Sequence, residues 1–324
     1  MKEEFQEEIA HPGYYSTTLK NSGIKAEVAV SEKVAYHRYH FDEKGILQID
    51  FSSGDLDKSF GPKFAFRPSE GTVMIQGNVL LARAVMHGIP LYMAAQCNGA
   101  KDVYLWENYR KISSKEYRCP DTENTFGGVF EVENTVELQV AISLHSFEEA
   151  RAHLQEHKKS FDQIYKDTAN TWEQYLSAIE IKTKDERLKE IFYSNLYHSF
   201  LKPANWGDRY VDFPTMWDIY KTQLPLVFTL FSKEAKGMTT AMLDLMEAYG
   251  YSPINVTLHE NNDTRDQCRM IMEYSLAIIR RFGRELLILK RVFWVIRNIT
   301  KVTIGIIHSV CWLTWRRVLN WPVE

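Results

Sequence analysis

The sequence predicts a mixed α and β protein of two domains, an antiparallel β-sandwich followed by an incomplete α/α domain of the toroid type. Two observations support this fold class. Residues 14–145 contain short runs in which apolar and polar positions alternate, broken by Gly, Asn, Asp and Pro, as in antiparallel sheets. After Leu144 the apolar residues recur at the helical period, in successive helices joined by short loops.

The first domain is expected to consist of short strands with few helices between them, which favours two packed sheets over βαβ units. The predicted strands are Ile24–Ser31, Lys33–Phe41, Ile46–Phe51, Thr72–Gln76, Pro90–Gln96, Val103–Trp106, Gly128–Glu133 and Val136–Leu144.

Helices are predicted from residue 146 onward. The first is expected to follow Ser146, a favourable N-cap residue, because Glu148 and Glu149 then lie in its first turn. It continues to about Glu156. The later predicted helices are Phe161–Ile179, Asp185–Phe200, Trp217–Phe231, Lys233–Tyr249 and Thr264–Phe282.

These elements divide the chain into four segments: the sandwich at 1–145, a helical linker at 146–184, the first part of an (α/α)6-type domain at 185–278, and a tail at 279–324. The tail is rich in tryptophan and holds nine Lys or Arg against two acidic residues. Two interpretations of the tail stay open, an amphipathic helix that binds a surface and a sequence altered by a frameshift.

Composition narrows the class of protein. The net charge of −3 gives no reason to expect nucleic acid as a partner. The acidic start has no apolar h-region, so no signal peptide is expected. The longest uncharged apolar run, Val302–Trp315, is 14 residues long, whereas a spanning helix needs about 20, so no transmembrane segment is expected. The four cysteines form no CxxC pair and leave the compartment open.

The stretch Tyr210–Pro225, YVDFPTMWDIYKTQLP, carries the main candidate site, since it places Trp217 beside Asp218 where an extended run meets a helix. An indole can stack on the C–H face of a pyranose while a carboxylate accepts hydrogen bonds from its hydroxyls. The alternative is a core tryptophan beside a helix cap. In LHENND, at 258–263, a His, a Glu and an Asp lie within six residues, where they form either a metal site or a polar loop that caps the next helix.

Several stretches in a consistent order resemble glycoside hydrolase family 92, the calcium-dependent α-mannosidases. They are HPGYYSTTL followed by IKAEVAV, then VAYHRYHF, LQIDFSS, VAISLHSFEEARAHL, TWEQYLSAIEI, FYSNLYHSFLKP and FPTMWDIYKTQLPL. The resemblance covers about residues 5 to 278 and ends before the tail.

The resemblance implies inverting hydrolysis of α-linked mannose from glycans, with a general acid, a base that activates water, and a Ca²⁺ ion that contacts the sugar. It places Trp217 and Asp218 in a sugar-binding subsite, and it makes Glu260 and Asn261 candidates for substrate contact. In the family the acid, the base and most calcium ligands follow later than this sequence reaches. No catalytic residue is therefore assigned, and little or no activity is expected of this chain.

Two rival functions stay open: a non-catalytic carbohydrate-binding or interaction module, and another glycosidase or glycan phosphorylase built from a sandwich and an α/α toroid. Either a partner chain or aggregation is expected, because an incomplete toroid leaves apolar helix faces uncovered. The resemblance implies export, since family members are often secreted or periplasmic, but the sequence itself leaves the compartment undecided.

Overall fold

The computed structural model describes residues 4–52, 70–86, 89–119, 124–156, 158–205 and 221–249, with positions 210, 211, 213, 219, 255–256 and 261–262. Contacts divide the chain into two compact units, Met1–Tyr193 and Ser194–Glu324. The predicted helix Thr264–Phe282 and the tail at 279–324 lie outside the described residues. The segment boundaries after residues 145, 184 and 278 stay predictions.

The first unit is built on two antiparallel sheets, as the sequence predicts. The larger sheet has the strand order β1-β2-β3-β4-β13-β8-β7-β6-β11, and the smaller has the order β10-β9-β12-β5. Their bounds are β1 Phe5–His11, β2 Tyr14–Leu19, β3 Lys25–Val30, β4 Val34–His40, β5 Gly45–Asp50, β6 Glu70–Gln76, β7 Val79–Met86, β8 Ile89–Asn98, β9 Asp102–Glu107, β10 Arg110–Ile112, β11 Glu116–Cys119, β12 Phe126–Val132 and β13 Thr135–Ser143. Strand β1 begins before residue 14, where the alternating pattern starts.

Apolar side chains from both sheets meet between them and form the main core. Leu80 and Ala95 of the larger sheet pack in one cluster with Leu105 and Phe130 of the smaller sheet. All four are at most 1% exposed. Burial of such side chains is the principal stabilising term of the unit.

The opposite face of the larger sheet is covered by helices α1 (Phe147–Glu156) and α2 (Phe161–Leu176). Helix α1 packs on β7, β8 and β13, and α2 packs on β3 and β4. The cap predicted at Ser146 is confirmed, because its Oγ accepts from the backbone N–H of Glu149 at 3.1 Å. The larger sheet is therefore buried on both faces along its centre.

The PGYY turn between β1 and β2 is a contact point for α2. Gly13 has a φ of +80°, which favours glycine. A Cβ at this position would overlap the Thr168 methyl group and lie 3.2 Å from Cδ1 of Trp172. The Thr168 hydroxyl in turn donates to the Val30 carbonyl of β3. The motif therefore serves the packing of α2 against the first strands.

Helix α3 spans Glu186–His198. The second unit then contains the short pair β14 (Ala204–Asn205) and β15 (Tyr210–Val211), helices α4 (Gln223–Leu230) and α5 (Ser232–Tyr249), and the pair β16 (Asn255–Val256) and β17 (Asn261–Asn262). The predicted helix Trp217–Phe231 is not continuous, because residues 221–222 form a turn before α4 begins at Gln223, whereas its predicted start at Trp217 lies outside the described residues. A continuous helix would set Pro225 against the carbonyl of Lys221, whereas a start at Gln223 puts the proline in the first turn, where it is tolerated.

The two residues that join β9 to β10 both have left-handed backbone conformations. The φ angles are 46° at Asn108 and 61° at Tyr109, and the cross-strand pair Glu107–Arg110 closes the turn. Two-residue turns of this kind favour Asn followed by Gly. Tyrosine at the glycine position costs about 1–2 kcal/mol of backbone strain.

Candidate functional site

The predicted sugar-binding residues lie only in part among the described residues. Trp217, Asp218 and Glu260 lie outside them. Asn261 is described at the backbone, where it pairs with Val256 between β16 and β17. The roles assigned to these four side chains stay predictions.

The stretch that carries Trp217 and Asp218 is held at both ends by buried residues. Phe213 is 1% exposed and Ile219 is 8% exposed, and both belong to a core cluster with residues of α4 and α5. Beyond Ile219, the Gln223 amide donates to the carbonyl of Ser199 at 2.5 Å. The described residues on either side of 214–218 are therefore fixed by packing and hydrogen bonding.

Tyr210 adds a third anchor on the amino-terminal side of this stretch. Its ring belongs to the same core cluster and lies against Gly237 of α5, where a Cβ would overlap the ring. Glycine at 237 thus allows Tyr210 to approach the helix backbone closely.

Among the described residues, the most connected charged cluster is centred on Glu27, whose side chain is 6% exposed. Its carboxylate accepts from Arg38 Nε at 2.8 Å and from the Tyr14 hydroxyl at 2.8 Å, and it lies 3.1 Å from His40 Nε2. Arg38 also donates to Asp162 of α2 at 2.8 Å and lies 4.3 Å from the Phe161 ring centroid. The cluster joins β2, β3 and β4 to α2.

These hydrogen bonds set the protonation state of Glu27. Burial alone would raise the pKa of its carboxyl, but the bonds from Arg38, Tyr14 and His40 outweigh burial and lower the pKa from 4.5 to about 2. A carboxylate held ionised in this way is a poor proton donor and a weak base. We therefore assign Glu27 a structural role.

A pH dependence of stability follows from the lowered pKa of Glu27. Since the pKa of Glu27 is lower in the folded state, this carboxylate contributes to the free energy of unfolding. The contribution is fully present above pH 4.5 and is lost as the pH falls toward about 2. Urea unfolding at several pH values should show the free energy of unfolding fall across this window. Glu27→Gln should be less stable at pH 7 and show a smaller fall; an identical fall in both proteins would contradict the assignment.

His37 and Tyr39 form a second polar pair on the opposite face of β4. Their side chains alternate with those of Arg38 and His40. His37 Nδ1 lies 3.0 Å from the Tyr39 hydroxyl, and the rings stack with centroids 5.8 Å apart. Burial lowers the pKa of His37 and raises the pKa of Tyr39. The pair is therefore neutral at pH 7, as expected for a hydrogen bond inside a sandwich.

No group of three or more His, Cys, Asp or Glu side chains within the described ranges is arranged to hold a metal ion. We assign no calcium ligand among these residues. No helix that the structure describes has both the length and the apolar character to cross a bilayer.

Two family models match the chain in succession. The glycosyl hydrolase family 92 N-terminal domain matches residues 1–143, and the family 92 catalytic domain matches residues 149–267. Together they span about four fifths of the sequence. No curated protein matches the sequence significantly.

Solved structures show the same fold at low sequence identity. The family GH92 α-mannosidase BT3965 from Bacteroides thetaiotaomicron has a TM-score of 0.75 and 16% identity, over 92% of this chain and 44% of that protein. The GH92 family glycosyl hydrolase ccman5 has a TM-score of 0.71 and 18% identity, over 92% and 44%. A bacterial glucoamylase in complex with acarbose has a TM-score of 0.56 and 10% identity, over 90% and 48%. The chain thus spans less than half the length of these proteins.

The two family models match consecutive parts of the chain, in the order of an N-terminal domain and then a catalytic domain. The chain belongs to glycoside hydrolase family 92. The recognition drawn from the PGYY and WD segments is therefore confirmed.

Proposed function

We propose that the chain supplies the sandwich and the first helices of an inverting α-mannosidase that removes α-linked mannose from glycans. The observation that carries this proposal is the consecutive match to both domains of family 92. The similar structure of the α-mannosidase BT3965, which has also been solved in complex with mannoimidazole, supports the choice of a mannoside as substrate.

In this proposal Trp217 stacks on the sugar ring and Asp218 accepts hydrogen bonds from its hydroxyls. The buried anchors Phe213 and Ile219 support the assignment, because they fix the backbone on both sides of the pair. Glu260 and Asn261 are proposed as further substrate contacts. These residues bind and orient the sugar, and no residue of this chain is assigned to proton transfer.

Calcium belongs to the same proposal through the family. When bound, Ca²⁺ would polarise the sugar hydroxyls that it contacts. No group of three or more acidic, His or Cys side chains among the described residues is arranged to hold this ion.

Since little or no turnover is expected of this chain, the test is calorimetric titration of an aryl α-mannoside with added calcium. Asp218→Ala should raise the Kd about ten- to a hundredfold, because a charge-assisted hydrogen bond to the sugar contributes about 1.5–3 kcal/mol. Asp102→Ala, which removes an exposed sandwich carboxylate, should leave the Kd unchanged.

Two outcomes would contradict the proposal. Equal Kd values for Asp218→Ala and Asp102→Ala would remove Asp218 from the sugar subsite. The absence of saturable heat from the aryl α-mannoside in the unchanged chain would contradict a mannoside site at the WD pair.

A further inference from the structure

The turn between β9 and β10 presents an aromatic ring outside the core. Tyr109 is 75% exposed, and its ring stacks on Trp106 with centroids 5.3 Å apart and planes 17° from parallel. Trp106 itself is 2% exposed. Because one face of the Tyr109 ring covers the indole, the opposite face is directed at solvent.

The indole beneath Tyr109 is fixed on the smaller sheet. Trp106 Nε1 donates to the Ile49 carbonyl of β5 at 3.3 Å, across the intervening strand β12. Gly127 of β12 leaves room for this hydrogen bond, since a Cβ there would lie 2.9 Å from Trp106 Nε1 and would overlap the Ile49 carbonyl oxygen. Three strands therefore hold the indole in place.

Hydrogen bonds of the Asn108 side chain also fix the turn between β9 and β10. Asn108 Oδ1 accepts from the Thr125 backbone N–H at 3.0 Å, and its Nδ2 donates to Asn124 Oδ1 at 2.9 Å. This turn keeps a tyrosine where glycine is favoured. A strained conformation that its surroundings hold fixed is a recognised mark of function.

The surroundings of the exposed ring are polar. Asn108 and Arg110 flank Tyr109 in the sequence and are exposed, and the Glu107 carboxylate accepts from the Tyr117 hydroxyl. A single apolar face within a polar rim matches a pyranose, which has a C–H face and a rim of hydroxyls. A stable protein interface buries about 800 Å² on each partner, far more than one ring supplies.

We propose that Tyr109 and Trp106 form a glycan-binding platform on the sandwich unit, on which one pyranose ring of a mannose oligosaccharide stacks. The choice of mannose depends on the proposed function, whereas the choice of a sugar depends on the ring and its rim. An aromatic ring face contributes to the affinity for the sugar through apolar contact. The surrounding amide, carboxylate and guanidinium groups then set the orientation of the bound sugar.

Calorimetric titration of α-linked mannotriose into the full chain tests the platform. The titration is made in the Asp218→Ala background, in which the proposed subsite around the WD pair is weakened. Tyr109→Gly should lower the affinity about tenfold or more, because it removes the stacking face. It also places glycine where the backbone favours it, so the fold should persist, which circular dichroism checks. Tyr109→Phe should retain the affinity.

Titration of a simple aryl α-mannoside separates this proposal from the proposed function. Tyr109→Gly in the otherwise unchanged chain should bind this ligand with the original affinity, since its single sugar ring occupies the proposed subsite at the WD pair. Equal mannotriose affinity in the Tyr109→Gly and Tyr109→Phe proteins would overturn the platform. A Tyr109-dependent change in sedimentation without glycan heat would also overturn it and would assign the ring to contact between two copies of the chain.

Discussion

Arg38→Met should lower the free energy of unfolding by about 3 kcal/mol, because it removes the nearest cation from the buried Glu27 carboxylate. Removal of one member of a buried ion pair costs about 3–5 kcal/mol, and the remaining bonds from Tyr14 and His40, with the ion pair to Lys25 at 3.8 Å, place the estimate at the lower end. The variant also loses the ion pair to Asp162 and the contact with the Phe161 ring. Urea unfolding monitored by circular dichroism measures the change.

Arg118→Met is the matched control. Arg118 pairs with Glu116 at 3.0 Å, through the same atom types as the Arg38–Glu27 pair, but its side chain is 79% exposed. An exposed pair contributes less than about 1 kcal/mol. If Arg38→Met costs no more than Arg118→Met, the Glu27 cluster does not stabilise the fold. Replacement of Glu27 and Arg38 together should cost less than the sum of the single changes, since the two side chains act as a unit.

The sequence predicts the alternating strands well and fails where a strand is buried on both faces. In β7, Leu80 packs between the two sheets while its neighbour Leu81 packs under the helices, and both are at most 1% exposed. No alternation of apolar and polar residues remains, so the sequence pattern of VLLARAV does not predict a strand. Strand β1 is not predicted for the opposite reason. It is exposed along its whole length, so its sequence has no apolar face that alternates with a polar one.

Motif order predicted the family, but it could not predict the Glu27 cluster. Glu27 and Arg38 are cross-strand partners in the register of β3 and β4. The local sequence pattern of each strand does not determine this register. Their burial depends on α2, which lies more than a hundred residues later in the chain. The sequence around Tyr109 has one local signal, an Asn–Tyr turn where Asn–Gly is usual, and only the φ angles of the structure show that this turn is left-handed.

Gly127→Ala should have the largest effect of the substitutions considered, a loss of about 4 kcal/mol or more. The new Cβ would overlap the Ile49 carbonyl oxygen and lie 3.0 Å from the carbonyl carbon, so relief requires β5 to move away from β12. Among the strands that the structure describes, β5 lies at the edge of its sheet and pairs only with β12. Overpacking costs about 1–3 kcal/mol, and the backbone hydrogen bonds lost with the displaced strand add to it. Thermal unfolding and amide exchange along β5 measure the effect.

Two other glycines show why backbone contact, rather than glycine itself, decides this cost. Gly77→Ala meets no atom within 4 Å and has a φ of +65°, so it should cost about 1 kcal/mol from the backbone alone. At Gly128 the three atoms nearest to a new Cβ all belong to the Leu80 side chain, so relief requires a side chain rather than a strand to move. A cost for Gly127→Ala as small as that of Gly77→Ala would mean that β5 has room to move. Because Trp106 lies over Gly127, the expected displacement also removes the support beneath Tyr109, so Gly127→Ala should weaken mannotriose binding even where the chain remains folded.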